Sequence, residues 1–233
     1  LNQALSVALP SFNFPRPALS DGTDTIRPAG LRGLGPDQTL VLVNGKRRHA
    51  ASLVNVNGTI GRGTSAVDLN TIPTGAISAV DVLRDGASAQ YGSDAIAGVI
   101  NVRLREATDG GAVSTTFGWR ETYYTVPVGT PPAGLPITVG DEITRDRSDG
   151  QVWTLSGWKG LAFGDAGFLT VSGEYKTQNR TERSGFDVRQ NYPTPVGGGF
   201  DPREATFDRF NAWTGEPEMD QITFFANAGY DLE

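Results

Sequence analysis

The stretch VDVLRDGASAQYGSDAIAGVINVRLRE, Val80 to Glu106, decides how the chain is read. It opens as an apolar alternation and breaks at Gly86. It then crosses a patch of small residues and resumes as a second alternation from Val99 to Leu104. Period-two alternation marks strands, and the DGASAQYGSDA between them is too long for a tight hairpin. The reading is two strands joined by a connection that does more than turn the chain. Gly86, Gly92 and Gly98 permit close packing, and the crossover lets the chain re-enter the sheet other than as an adjacent antiparallel neighbour.

Upstream the grammar is the same. LNQALSVALP fits one or two helical turns that end before Pro10. Pro28 keeps TDTIRPAGLRG extended, near an edge or a bulge. Thr39 to Val43 is a strong strand running into Asn44-Gly45, a pair suited to positive φ. In LNTIPTGAISAVDVLRD, Pro73 sits at a first helical position before the β pattern returns. Short strands alternating with short helices give an α+β unit built on a small mixed sheet.

From about Gly110 the pattern changes. AVSTTFGWRE, QVWTLSGWKGLAF, AGFLTVSGEYKT and QITFFANAGYDL each set an apolar row against a largely polar one over roughly ten residues. Lys159 is the exception on its apolar row, placed to snorkel. The stretch from Thr122 to Gly150 reads as a long connection, GDAG as a tight one, and the stretch before Gln221 as another long one. Long and short connections alternate in this way in outer-membrane barrels. Pattern alone leaves a soluble sandwich open, because period two states only that one face is wet and the other dry. Four strands cannot close a barrel, so a membrane role requires more chain.

Composition removes several classes. With no cysteine in 233 residues there is no disulfide framework and no thiolate metal site. The net charge of −6 argues against nucleic acid as a partner. No apolar run is long enough for a membrane-spanning helix. His49 is the single histidine, so a histidine metal site is excluded, and a serine hydrolase would have to centre on it without a Gly-x-Ser-x-Gly elbow. GLRGLG lacks the Lys-Ser/Thr of a nucleotide loop and precedes a strand, so it is turn chemistry. No catalytic residue, metal or cofactor is expected. The chain begins without Met or a leader and stops at a strand end, and it reads as a piece of a longer protein.

IRPAGLRGLGPDQTLVLVNGKRR, then VDLNTIP, then VDVLRDGASAQYGSDAIAGVINVRL and β alternation together resemble the TonB-dependent outer-membrane receptors. The resemblance implies a plug domain over residues 1–106 inside a barrel of about 22 strands. Residues 107–233 would be the first four barrel strands with two long external loops. Departures from the common pattern are Pro28-Ala29, Asn44 and Gln90. The resemblance further implies a location in the outer membrane of a Gram-negative bacterium, in contact with its lipid. TonB would be the partner, through an upstream segment absent here, and the cargo a small nutrient such as a siderophore or carbohydrate. By position, the loops Asn13–Asp24 and Arg48–Ala66 correspond to plug apices that touch ligand. Arg16, Asp21, His49, Asn55, Asn57 and Arg62 are the candidate contacts, with Tyr123, Tyr124, Tyr192 and Trp213 able to stack on sugar rings. Arg27, Arg32 and Arg84 are the candidate charges holding plug to barrel, against the plainer reading of surface ion pairs. The competing function is a soluble β-rich binding or adhesion module.

Overall fold

The computed structural model describes residues 1–13, 22–56, 61–84, 86–211 and 214–232. A helix α1 (Asn2–Ala8) leads into β1 (Phe12–Asn13), which pairs antiparallel with β2 (Gly30–Leu31). The small mixed sheet follows: β3 (Thr39–Val43), β4 (Lys46–Arg47), β5 (Ile77–Leu83), then α2 (Ala87–Tyr91) and β6 (Gly98–Leu104), in the order β4-β3-β6-β5. β3 and β6 run parallel at its centre and β4 and β5 flank them antiparallel. Parallel central strands are covered on both faces, which is why Leu40 to Leu42 and Val99 to Ile100 are buried without alternation. One face packs Leu31, Leu69, Ile100 and Val102 with Leu5 of α1, and the other packs Leu40, Leu42, Ala95 and Val99. The Asn44-Gly45 turn forms as read, with φ of 48° and 74°.

The topological expectation for the crossover fails. β5 and β6 are adjacent and antiparallel, with Leu83 opposite Val99. What the small residues do instead is cover the sheet: Ala95 lies in the second core cluster and Tyr91 packs against it. The connection is wide because it carries a lid for that face, not because the strand direction changes. Gly98 is required where the chain re-enters. Its φ is 141°, and a Cβ there would lie 2.5 Å from the Leu83 carbonyl oxygen and 2.8 Å from Leu31 Cδ1.

The second sheet is an antiparallel meander, β7 (Gly111–Pro127), β8 (Glu142–Phe163), β9 (Gly167–Gln178) and β10 (Met219–Tyr230). Its register places Leu155, Tyr175 and Ile222 in one row and Leu161, Leu169 and Ala228 in another, all on one face. That face is exposed: Val113, Phe117, Ile222 and Phe224 are 62–82% accessible. No second sheet covers it among the described residues. Aromatic pairs mark its two ends, Phe163 with Tyr230 at 6.2 Å and Trp153 with Tyr175 at 5.7 Å. The interval from Trp153 to Phe163 along β8 is roughly 33 Å at strand rise, or about 24 Å when tilted by about 45°. A lipid-facing apolar band between aromatic girdles is about 25 Å tall. The apolar face therefore faces lipid, and these are transmembrane β-strands. No helix among the described residues is long and apolar enough to span, which does not bear on strands.

The strands are longer than their dry band. Thr122 to Pro127 and Glu142 to Gly150, expected as loop, continue the β7–β8 ladder, and Val128 N–H closes it onto the Asp141 carbonyl at 2.8 Å. The signal was hidden because both faces of this extension are polar or charged, so alternation carries no wet-and-dry contrast. Below Gly118 the ladder pairs that residue with Val152, yet Arg120 faces Asp149. β8 thus holds one extra residue at a bulge where Gly150 has φ of 63°. The bulge switches the inward-facing set of β8 from even residues to odd ones, which brings in Asp149, Arg147 and Arg145.

Candidate functional site

The small sheet rests against the inward face of β8, β9 and β10, and polar contacts make the seam. Thr74, just after Pro73, donates to the Glu174 carboxylate of β9 from its backbone N–H at 3.1 Å and its Oγ1 at 2.6 Å. Gln221 of β10 donates to the Asn70 carbonyl at 3.0 Å, and Asn227 donates to the Arg105 carbonyl at 3.1 Å. Asn44, one of the departures from the family pattern, donates to Asn227 Oδ1 at 3.4 Å while its own Oδ1 accepts from Leu104 N–H at 2.8 Å. An aspartate could supply only the second of these. Two guanidiniums stack across the seam, Arg105 on Trp158 at 4.3 Å and Arg48 on Phe225 at 5.7 Å. At Gly75 the backbones approach so closely that a Cβ would lie 3.1 Å from the Gly157 carbonyl oxygen. Beside this seam lies a cavity of about 520 Å³, lined by Arg27, Asn70, Thr74, Glu174, Lys176 and Glu216 among others. The seam is hydrogen-bonded and charged, the kind of interface that can slip without exposing a large apolar core.

Of the candidate plug charges, Arg27 is 6% exposed and lines this cavity. Its Nη1 donates to the Ile26 carbonyl at 3.0 Å and to the Asp24 carbonyl, and its backbone N–H donates to Asp68 Oδ1 at 3.1 Å. Arg32, itself at φ 60°, donates to the Arg84 carbonyl at 3.0 Å, so these two meet each other. Sequence reasoning missed Thr74, Glu174, Gln221 and Asn227. Inward parity could have flagged the three barrel-wall residues, but nothing local announces which plug carbonyl or hydroxyl each one meets.

The apical loop 48–66 is closed by Ala51 N–H on the Ala66 carbonyl at 2.8 Å and by a bridge between Val54 and Ser65. Asn55 is 2% exposed; its N–H donates to the Thr64 carbonyl at 2.8 Å, its carbonyl accepts from Gly63 at 2.8 Å, and its amide reaches Thr64 Oγ1 at 3.4 Å. It holds the loop's shape, whereas His49 and Arg62 are exposed on the same loop. Arg16, Asp21, Asn57 and Trp213 lie outside the described residues. Tyr123 is exposed on the outward side, Tyr124 donates to the Ser184 carbonyl at 3.4 Å, and Tyr192 stacks on Phe207 at 5.9 Å beneath the Arg203 guanidinium.

The loop that follows β9 has its own polar core. Glu204 and Arg209 pair at 2.6 Å with side chains 0% and 4% exposed. Glu204 Oε1 also accepts from Asn191 and Tyr192 N–H at 2.6 and 2.7 Å. Burial alone would raise the Glu204 pKa, but the two N–H donors and Arg209 outweigh it and hold the carboxyl below its ordinary value. At Asp201, the Arg203 guanidinium and N–H bring the carboxyl down to about 2.

The model for the TonB-dependent Receptor Plug Domain matches residues 1–99. The probable TonB-dependent siderophore receptor PirA of Acinetobacter baumannii is 34% identical over 101 residues, which is 43% of this chain and 13% of that receptor. The ferric enterobactin receptor PirA of Pseudomonas aeruginosa is 34% identical over 101 residues, covering 43% of this chain and 14% of its own length. The vitamin B12 transporter BtuB of Vibrio vulnificus is 39% identical over 90 residues, 38% of this chain and 13% of the transporter. The aligned stretch thus spans about an eighth of each relative, and it is the stretch that folds here as the small mixed sheet. The hydrolase reading around His49 gives way to a family of transport receptors rather than enzymes. Motifs in order and a mixed sheet seated on an inward polar wall agree with that match: residues 1–99 belong to the plug domains of the TonB-dependent receptors.

Proposed function

We propose that the chain carries the plug and the first four barrel strands of a transporter in the outer membrane of a Gram-negative bacterium. The plug would occupy residues 1–106 and the wall residues 107–233. This division is supported by the change of sheet between Leu104 and Gly111. A scarce small nutrient binds from outside, and TonB, pulling on a segment upstream of Leu1, rearranges the plug to open a path. The relatives transport or receive siderophores and vitamin B12. A siderophore is accordingly the first substrate class to test, with carbohydrate beside it. His49 and Arg62 offer exposed groups to the ligand on a loop that Asn55 shapes, and Arg16, Asp21 and Asn57, outside the described residues, stay candidate contacts. Arg27, with its place on the plug–wall cavity, is the best placed of the three plug charges to hold plug to wall; Arg32 and Arg84 brace one another.

The observation that carries the reading is the seam, where the plug is tied to the wall by separable polar contacts, with Thr74 on Glu174 at its centre. The chain has no cysteine, so cysteines introduced at 74 and 174 meet no other thiol within it. In cells making the receptor, uptake of ferric enterobactin, vitamin B12 and maltodextrin is followed with and without TonB. One of these probes should be imported only with TonB. A thiol crosslink between positions 74 and 174 should abolish import while leaving surface binding intact, and reduction or cleavage of the linker should restore it. Import that continues through a fully crosslinked plug, or that ignores TonB, defeats the proposal.

A further inference from the structure

Above the bulge at Gly150, Arg145 and Arg147 face inward on β8, and the segment after β9 folds across them. That segment is fixed by Asp149, which accepts from Glu182 N–H at 2.9 Å and from Arg183 Nη1 and Nη2 at 2.7 and 2.9 Å. A Cβ at position 150 would collide with Thr181, so glycine is what lets strand and loop approach this closely. With Asp149 engaged by Arg183, Arg145 and Arg147 share the single carboxylate of Glu182, at 3.2 and 2.5 Å. Arg145 also lies flat on Phe210, 3.7 Å from the ring centre. Two of their donors remain without a partner although buried, Arg145 Nη1 and Arg147 Nε. Buried donors on charged groups are costly to leave unbonded. The two arginines border a cavity of about 190 Å³, whose other walls are Arg180, Glu182, Asp208, Phe210 and Asn211. That volume is about six waters' worth, enough for a carboxylate or phosphate with the first atoms behind it. No plug residue lines it.

We propose that this pocket is a subsite for a small anionic oxygen group on the incoming ligand, separate from the apical plug loops. Three guanidiniums and two carboxylates line the pocket and leave a net positive charge to be met, and guanidinium N–H groups suit a charge-assisted bond. The proposal rests on the transport reading for which side of the membrane this pocket faces, but not for its chemistry. The plainer account is that the arginines only knit the loop to the strand. Asp208 separates the two. It lines the pocket, and its Oδ1 caps Phe210 N–H at 3.0 Å, an acceptor that asparagine keeps.

The test uses the receptor purified from outer membranes, with 4-fluorobenzoate as the probe, neutral 4-fluorobenzamide as its control and inorganic sulfate as competitor, followed by fluorine NMR. The benzoate should bind saturably, the amide should not, and sulfate should displace the benzoate. Arg147→Gln should weaken benzoate by about tenfold or more, the worth of a charge-assisted bond. Asp208→Asn should tighten it by about threefold, because a like charge leaves the wall while the cap stays. Arg47→Gln, remote on the plug, should change nothing. Equal binding of acid and amide, no saturable binding, or an Asp208→Asn receptor no tighter than the parent each overturns the pocket. The asparagine variant decides the matter even where Arg147→Gln disturbs the loop. Anion binding that holds while TonB-dependent import fails removes the transport reading alone; import that holds without anion binding removes only the pocket.

Discussion

The two four-stranded sheets turn their apolar side chains against opposite surroundings. In the plug, Leu31, Leu69, Ile100 and Val102 are 0–1% exposed. In the wall, Phe224 and Ile222 are 71% and 82% exposed while Ser156, Thr170, Ser172 and Gln178 are 3–6% exposed. One sheet hides its apolar row in a core; the other turns its apolar row to lipid and its polar row to the plug. An apolar residue on a period-two row therefore says only that water is absent on that side. Whether a core or a bilayer excludes the water depends on what covers the row.

The sharpest way to break this contrast is to truncate one apolar residue on each sheet. Ile100→Ala should destabilise the plug by about 2–5 kcal/mol, because a fully buried side chain leaves a cavity. Gly98→Ala belongs with it, at about 1–3 kcal/mol, since the new Cβ meets the Leu83 carbonyl at a φ that L-residues avoid. Hydrogen exchange across β5 and β6 in the receptor measures both. Protection that survives Ile100→Ala would mean that the barrel wall, rather than the plug's own core, holds the domain folded.

On the wall the same logic inverts. Phe224→Arg should cost about 2–4 kcal/mol in a bilayer, because the register row Gly157, Gly173, Phe224 lies between the aromatic pairs and so near mid-membrane. Phe224→Leu should cost about 1 kcal/mol or less. Reversible folding into lipid vesicles reads the difference. An arginine tolerated as well as leucine would place this face in water and make the two sheets alike after all. Lys159, two rows from Phe224's, marks where the wall already accepts a cation, and its flexible stem lying against Gly111 makes that possible.

How much of this was legible follows from where each signal lives. The Thr39–Val43 strand, the Asn44-Gly45 turn and the apolar rows of all four wall strands are local patterns, and the structure matches them. The antiparallel β5–β6 pair was misread because direction is set by what the connection must cover. Ala95 and Tyr91 look the same in sequence whether they pack on a sheet face or fill a crossover. The extension of β7 and β8 was missed because arginine alternating with aspartate and serine shows no dry face. The seam lay furthest from view. Thr74 and Glu174 are a hundred residues apart, and their bond depends on how one sheet docks on the other.

That seam supplies a smaller effect. Glu174→Gln keeps the shape and one acceptor but trades a charge-assisted bond for a neutral one, worth about 1 kcal/mol. The Thr74 amide should exchange about fivefold faster, with β3 and β6 unchanged. A rise in exchange that spreads through β3 would show that the seam and the plug core unfold as one unit.

The smallest effect at neutral pH belongs to the loop after β9, which is neither core nor lipid-facing. Glu204 is held below its ordinary value of 4.5 by Asn191 and Tyr192 N–H and by Arg209, which outweigh its burial. A carboxyl lowered on folding contributes its stabilisation above the unfolded value and loses it as pH falls through the folded one. The protection of the Asn191 and Tyr192 amides, corrected for intrinsic exchange, should then be flat from pH 7 to 5. It should decline only below the ordinary glutamate range, while the plug strands stay protected. In Glu204→Gln the amides should be less protected at pH 7 and show no such decline. Protection that falls between pH 7 and 5 would mean that burial, rather than the bonds, sets the state of Glu204. The loop's polar core would then act as a liability that the wall tolerates instead of the clamp that orders it.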